Sequence, residues 1–172
     1  MKQILNCLNW MQGDGRRAAL FAALASAGLL AAAYFFQYVV KLLPCELCYW
    51  QRKPHFAIIP LGLLGFFLMQ ARWRFVVLGL IVLAALTNTG ISIFHVGVEH
   101  HWWQGLSTCS APTAVTRTIE EARNLIFNST VVPCDKPAWV FLGISMAGWN
   151  GLASLAIALW AALGARRSWR AA

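Results

Sequence analysis

Phe75–Val98 reads FVVLGLIVLAALTNTGISIFHVGV, 24 residues without a Lys, Arg, Asp or Glu. A helix needs roughly 20 apolar residues to cross a hydrocarbon core, so this stretch is long enough to do so. Three more blocks of that kind are Ala18–Val40, Tyr49–Met69 and Ala138–Leu163. The chain of 172 residues is 59% hydrophobic and 12% charged, with mean hydropathy +0.60. That apolar share is too high for one soluble domain of the same length. The blocks predict an all-α membrane protein: a four-helix transmembrane bundle forming a single domain over 1–172, with a long loop, 99–137, between helices 3 and 4.

The blocks differ in detail. The second carries Arg52, Lys53, Pro54 and Pro60, which predicts an interfacial first turn and a kinked middle. The third carries Thr87, Asn88 and Thr89 at mid-depth. Polar residues inside a span face neighbouring helices, so these three predict a packed bundle.

Charge sets the orientation. Four spans put the N-terminus, the 70–74 turn and the C-terminus on one side. That side holds Lys2, Arg16, Arg17, Arg72, Arg74, Arg166, Arg167 and Arg170 against Asp14 alone. The other side holds six basic residues, Lys41, Arg52, Lys53, Arg117, Arg123 and Lys136, with five acidic ones. The positive-inside rule makes the first side cytoplasmic, with both termini there. The net charge of +8 is then topogenic, and no nucleic-acid partner is expected. Arg16-Arg17 and the run to Ala31-Ala32-Ala33 resemble a signal peptide, but the apolar stretch continues to Val40, which is span length. It is read as an uncleaved first helix.

Four of the five cysteines form two pairs on the outer side, where disulfides persist. Cys45 and Cys48 form the CxxC of Pro44-Cys45-Glu46-Leu47-Cys48, and Cys109 and Cys134 bracket the polar loop. Loop entropy gives about 2 kcal/mol for the small ring against about 3.5 kcal/mol for the large one. The small ring therefore reads as a redox device rather than a staple, and two dithiols on one membrane face suggest electron transfer between them. Cys7, on the reducing side, reads as a bystander.

Cys48 stands where the second helix begins, with Arg52 one turn on at i, i+4. A helix N-terminus and an adjacent arginine both favour thiolate over thiol, and the thiolate is the reactive species in disulfide exchange. His95 lies at about the depth of Arg52 by topology. Ionisable residues at such depth carry a functional hypothesis. Arg52 and His95 are therefore candidate donors to the carbonyl oxygens of a quinone, and the Cys48 thiolate is its candidate reductant. In the loop, Thr118-Ile119-Glu120-Glu121 fits a capping box, and 118–127 fits an amphipathic helix, lying on the membrane or packed on the bundle. Trp102 and Trp103 fit an aromatic belt or a pocket wall. Asn128-Ser129-Thr130 matches a glycosylation acceptor.

Pro44-Cys45-Glu46-Leu47-Cys48 with Gln51-Arg52 behind it resembles the CxxC-x-x-x-R signature of the DsbB family, disulfide bond formation protein B. Four spans, His95-Val96 and a cysteine pair in the last outer loop extend the resemblance over nearly the whole chain. His95–Gly105 and Pro133–Asn150 resemble one bacterial branch. The resemblance implies a protein-disulfide:quinone oxidoreductase of the bacterial inner membrane, with both cysteine pairs periplasmic. Cys109 would be attacked by a reduced DsbA-like thioredoxin-fold partner, Cys134 would attack Cys45, and Cys48 would pass electrons to ubiquinone or menaquinone. Arg52, and more loosely His95, would hold the quinone. The disulfides would be Cys45–Cys48 and Cys109–Cys134, with no metal.

Three rival readings bear on the same residues. A vitamin K epoxide reductase-like protein places its CxxC near the last helix, whereas here it begins the second span. A structural protein with stapled loops leaves Cys45–Cys48 and Arg52 unexplained. A four-cysteine zinc site lacks a second CxxC.

Overall fold

The computed structural model describes residues 15–67, 70–106, 109, 118–120 and 132–171. Cys7, most of the 118–127 segment and Asn128-Ser129-Thr130 lie outside these residues. Four long helices make up the described chain: α1 Arg16–Tyr38, α2 Glu46–Phe67, α3 Ala71–Glu99 and α4 Met146–Arg170. Three of them, α1, α3 from Arg72 and α4, are long and apolar enough to cross a membrane. α2 is of similar length and carries Glu46, Arg52 and Lys53 in its outer half.

The helices alternate in direction. Arg16, Arg72, Arg74, Arg166, Arg167 and Arg170 therefore gather at one end of the bundle and Cys45, Cys48 and His95 toward the other. The packing is that of a membrane bundle. Leu24, Phe35, Leu63, Leu83, Ile93 and Leu159 point outward. The helix interfaces instead carry Ala18, Ala19, Ala22 and Ser26 of α1 and Gly62 and Gly65 of α2, with Ser154, Ala158, Ala161 and Gly164 on α4. Small residues let backbones approach, which is where helices gain contact when lipid removes the hydrophobic drive.

α3 packs most extensively on α4, and α2 on both α1 and α3, while α1 and α4 meet over a smaller area. That leaves room between α1, α2 and α4 at the cysteine end. At the other end Arg16 Nε donates to the Phe66 carbonyl (2.7 Å) and Arg74 Nε to the Gly65 carbonyl (2.9 Å). Both bonds satisfy carbonyls of the last turn of α2, where a cation also complements the helix dipole.

Two local expectations change. α2 runs as one element with Pro54 and Pro60 inside it. Of the three polar residues at mid-depth only Asn88 is buried between helices; Thr87 and Thr89 donate back to the carbonyls of Leu83 and Ala85 on their own helix. The fourth apolar block does not begin as helix. Val140–Phe141 (β1) and Ile144–Ser145 (β2) form a hairpin in the register Val140↔Ser145 and Phe141↔Ile144. Leu142 (φ 52°) and Gly143 (φ 78°) make its two-residue turn. Positive φ at both turn positions is what a tight hairpin requires, and β-branched and aromatic residues favour the strands. Ser145 then caps α4 by accepting from the Gly148 amide at 3.2 Å.

A Cβ on Gly62 would stand 2.5 Å from the Ala19 carbonyl oxygen, whereas nothing lies within 4 Å of a Cβ on Gly28. Gly62→Leu should therefore destabilise the bundle by about 1–3 kcal/mol, the scale of overpacking. Thermal denaturation in detergent reads this directly, with Gly28→Leu as the control that leaves the midpoint unchanged.

Candidate active site

Pro44 and Cys45 deliver the chain into α2, so the CxxC straddles a helix N-terminus. Cys45 is buried and Cys48 half-buried. Their sulfurs stand 2.7 Å apart as a facing thiol pair, and the Cys48 amide donates to Cys45 Sγ at 3.3 Å. The sequence reading had this pair as a disulfide. The thiol pair differs from that by a small sulfur displacement, which a two-residue ring accommodates.

The second pair is a disulfide. Cys109 and Cys134 are bonded, with Cα atoms 5.1 Å apart, and both are buried. They pack in one cluster with Cys45, Leu47 and Val98, with Cys48, Phe94, Leu106 and Val132 at its edge. Residues 25 positions apart in sequence are thus brought to the CxxC, and all four cysteines share one pocket of packing.

Arg52 is nearly buried one turn into α2. Its Nη1 donates to Gln37 Oε1 of α1 at 2.6 Å, and the guanidinium lies 5.1 Å from the ring centroids of both Tyr34 and Tyr49. An amide oxygen and two aromatic faces hold it in place.

His95 lies elsewhere than expected. It is buried behind the CxxC, with Nε2 3.6 Å from Cys45 Sγ and 3.9 Å from Glu99 Oε1, and Nδ1 3.3 Å from Gln51 Nε2. The Gln51 amide nitrogen can only donate, so Nδ1 accepts and Nε2 carries the proton. Nε2–H therefore donates toward Cys45 Sγ. Cys45, Cys48 and His95 bring three metal-type ligand atoms within 4.8 Å, one short of a closed structural zinc site.

A cavity of about 450 Å³ opens beside Cys48 between α1, α2 and α4. Its wall is apolar, from Leu29 and Ala33 of α1 to Trp139 and Phe141 of the hairpin and Trp149 of α4. The polar groups on it are few: Gln37, Cys48, Gln51, Arg52, His55 and Asn150. His95 is not among the residues that line it. The sequence reading quoted Gln51 beside Arg52 without giving it a role, and gave none to His55 or Asn150. Gln51 and His55 were within its reach, because positions 48, 51, 52 and 55 follow the i, i+3, i+4, i+7 spacing of one helical face. Asn150 sits on another helix, 99 residues from the Gln51 oxygen to which its amide donates at 3.2 Å.

The Cys45 thiol is pushed far up from its ordinary range, first by its hydrogen bond to Cys48 and then by burial. Cys45 therefore keeps its proton and Cys48 is the member that ionises. The fold and the site together define a helical membrane protein with a redox dithiol at the mouth of an apolar cavity and a disulfide packed against it. The family model for disulfide bond formation protein DsbB matches residues 15–164. Disulfide bond formation protein B of Xanthomonas euvesicatoria is 34% identical over 159 residues, covering 90% of this chain and 92% of its own. The protein of that name in Methylobacillus flagellatus is 31% identical over 153 residues, covering 87% and 92%. An uncharacterized protein of Rickettsia prowazekii is 27% identical over 136 residues, or 78% of each chain. The chain belongs to the DsbB family, and its role lies in disulfide bond formation.

With the protein reduced, alkylation at subsaturating reagent should label Cys48 well ahead of Cys45 across about pH 6–9, the range around an ordinary thiol pKa. Peptide mapping by mass spectrometry reads the ratio. Equal labelling would reverse the assignment of the thiolate.

Proposed function

We propose that the protein is a disulfide:quinone oxidoreductase of the bacterial inner membrane. It reoxidises a DsbA-like thioredoxin-fold thiol oxidase on the periplasmic side. The observation that carries this reading is the position of Cys48. It lines an apolar cavity between α1, α2 and α4, while Cys45 beside it packs against the Cys109–Cys134 disulfide. One cysteine of the CxxC thus meets a protein disulfide and the other a lipid-soluble compartment.

The cavity fits a quinone ring. Its volume lies in the range of small-molecule sites, and an apolar wall with a few placed polar groups is their usual composition. Arg52 supplies a fixed N–H donor and a positive charge at the height of Cys48. A bound ubiquinone or menaquinone would serve there as the two-electron, two-proton acceptor.

The protein's own steps are thiol–disulfide exchange. A thiolate of the partner attacks Cys109, forming a mixed disulfide and releasing Cys134 as thiolate. The partner's second thiol then displaces Cys109, which leaves the partner oxidised and the loop pair reduced. Cys134 attacks Cys45 and Cys109 closes the loop disulfide again, so the electron pair now rests on Cys45 and Cys48. Closing Cys45–Cys48 gives up two electrons and two protons to the acceptor. His95 Nε2–H, aimed at Cys45 Sγ, supports negative charge on that sulfur when it is the leaving group. The charge asymmetry supports the sidedness: Arg16, Arg72, Arg74, Arg166, Arg167 and Arg170 crowd the end opposite the cysteines.

Cys134→Ser should trap the partner on Cys109 as a mixed disulfide visible on non-reducing gels, and the absence of any adduct would displace Cys109 from first position. Arg52→Leu should lower quinone-dependent turnover by at least about tenfold, the effect of losing one charged hydrogen bond. Thiol exchange at Cys109–Cys134 should be unaffected. Purified protein oxidising a reduced DsbA-like protein with one quinone reduced per disulfide formed is the direct test.

A further inference from the structure

Closing a dithiol to a disulfide releases two protons with its two electrons, yet the CxxC as built holds one. Cys45 keeps its proton, and Cys48, beside Arg52, is the member that ionises. The other proton must rest on a group close to the sulfurs. Arg52 is charged already and cannot take it. His95 is held neutral: the Gln51 amide nitrogen donates to Nδ1 at 3.3 Å, and the Gln51 oxygen is itself held by the Asn150 amide. A proton added to Nδ1 would face an N–H.

Glu99 has the capacity that these groups lack. It is the last residue of α3, one turn beyond His95, and its side chain is 7% exposed. Its Oε1 stands 3.9 Å from His95 Nε2, the same nitrogen that lies 3.6 Å from Cys45 Sγ. The backbone of Cys134 meets the same ring. The Ser145 hydroxyl donates to the Glu99 carboxylate, while Ser145 Oγ accepts from the Gly148 amide at the start of α4. One hydroxyl and the positive end of a helix dipole thus favour the anion, and a carboxylate has about four acceptor sites, so capacity for a proton remains. The other titratable and charged groups facing this cluster are His95 and His100 on α3 and Cys48 with Arg52 on α2; the hairpin and α4 present Ser145.

We propose that Glu99 carries the second proton of the CxxC, ionised while Cys45–Cys48 is a disulfide and protonated while the pair is reduced. This rests on the electron path given above. The steps then balance. Cys134 loses its proton to Glu99 and attacks Cys45, breaking Cys45–Cys48 and leaving Cys48 as thiolate. The Cys109 thiol attacks Cys134, closes the loop disulfide and passes its proton to Cys45. The reduced site therefore holds two electrons and two protons, one on Cys45 and one on Glu99. Closing Cys45–Cys48 releases both protons with the electron pair and returns Glu99 to the carboxylate. Charge gives the reason for the pairing. Glu99 and Cys48 are close enough for their negative charges to oppose each other, and such repulsion is strong where water is excluded. A proton on Glu99 when the electron pair reaches Cys48 leaves the net charge of the cluster unchanged.

The test uses the full chain in nanodiscs, freed of quinone and equilibrated with reduced and oxidised dithiothreitol, a reagent that exchanges two protons with its two electrons below its thiol pKa. Alkylation and peptide mapping give the reduced fraction of Cys45–Cys48 separately from that of Cys109–Cys134. In the wild type the equilibrium constant against the reagent should stay level from about pH 6 to 8, below an ordinary thiol pKa. In Glu99→Gln the reduced pair holds one proton fewer than the reagent, so the constant should rise about tenfold per pH unit, or about 30 mV. A purely structural role would shift the constant at every pH alike and leave its slope. Infrared spectra of the wild type, reduced minus oxidised, should show a protonated-carboxyl band that Glu99→Gln lacks. A wild-type constant that already rises with pH, a level one in Glu99→Gln, or no carboxyl band in the wild type overturns the assignment; the wild-type band decides it should the variant not fold. Both measurements are free of quinone, so a protein that passes them yet reduces no added short-chain ubiquinone overturns the quinone reading alone.

Discussion

The chemistry of this molecule depends on one packing contact, the seating of the Cys109–Cys134 disulfide against Cys45 and Leu47. Disulfide exchange needs sulfur to meet sulfur, and loop sulfurs left in solvent would meet the CxxC only by diffusion. Burying both loop cysteines in the cluster that holds Cys45 keeps them beside it. The Cys134 amide donates to the Cys109 carbonyl at 3.3 Å, which ties the two ends of the loop together at that point. The helices fix the CxxC, and the Cys109–Cys134 disulfide is seated against it.

The helices hold that platform by exclusion of bulk. Ala, Gly and Ser at the α1–α2 and α3–α4 contacts bring backbones together, and the large apolar side chains face outward. This arrangement leaves a gap where α1 and α4 meet least, and the hairpin before α4 covers it. Phe36 and Trp139 pack at 5.2 Å between ring centroids, and Trp139 stacks on Phe141 at 5.6 Å. The cavity is therefore a product of uneven helix packing, roofed by aromatic residues from a segment with the composition of a span. Trp103, which the sequence left between anchor and pocket wall, donates to the Phe94 carbonyl at 2.8 Å and stacks on Phe94.

Much of the fold was legible because lipid imposes a simple rule on sequence: uninterrupted apolar length. α1 and α3 cover the first and third apolar blocks within a few residues. The rule failed at Ala138–Ser145, where hydropathy says membrane but the turn residues Leu142-Gly143 and the β-branched Val140 and Ile144 say hairpin. Within the site, the CxxC and Arg52 were legible as a local spacing. His95 was legible as a buried histidine, but its depth along the bundle said nothing about which side of the CxxC it takes. That depends on the rotation of α3 against α2. Gln51 and His55 share the helical face of Cys48 and Arg52, but their contacts with Asn150, about a hundred positions away, are ones a single sequence does not disclose.

The two cysteines of the CxxC are made different by their surroundings rather than by their own chemistry. Cys45 accepts from His95 Nε2–H and from the Cys48 amide, is buried, and gives its proton toward Cys48. Cys48 is on the cavity wall with an arginine held there by Gln37 and two tyrosine rings. A thiolate stored on Cys48 can only be discharged toward the cavity or back to Cys45, while a disulfide at this position can be opened from the loop side only at Cys45. On the proposed reading, the same pair of sulfurs presents an electrophile to a protein and a nucleophile to the quinone. Arg52 would then fix this direction, because exchanging the environments of the two cysteines would require moving its charge across the first turn of α2.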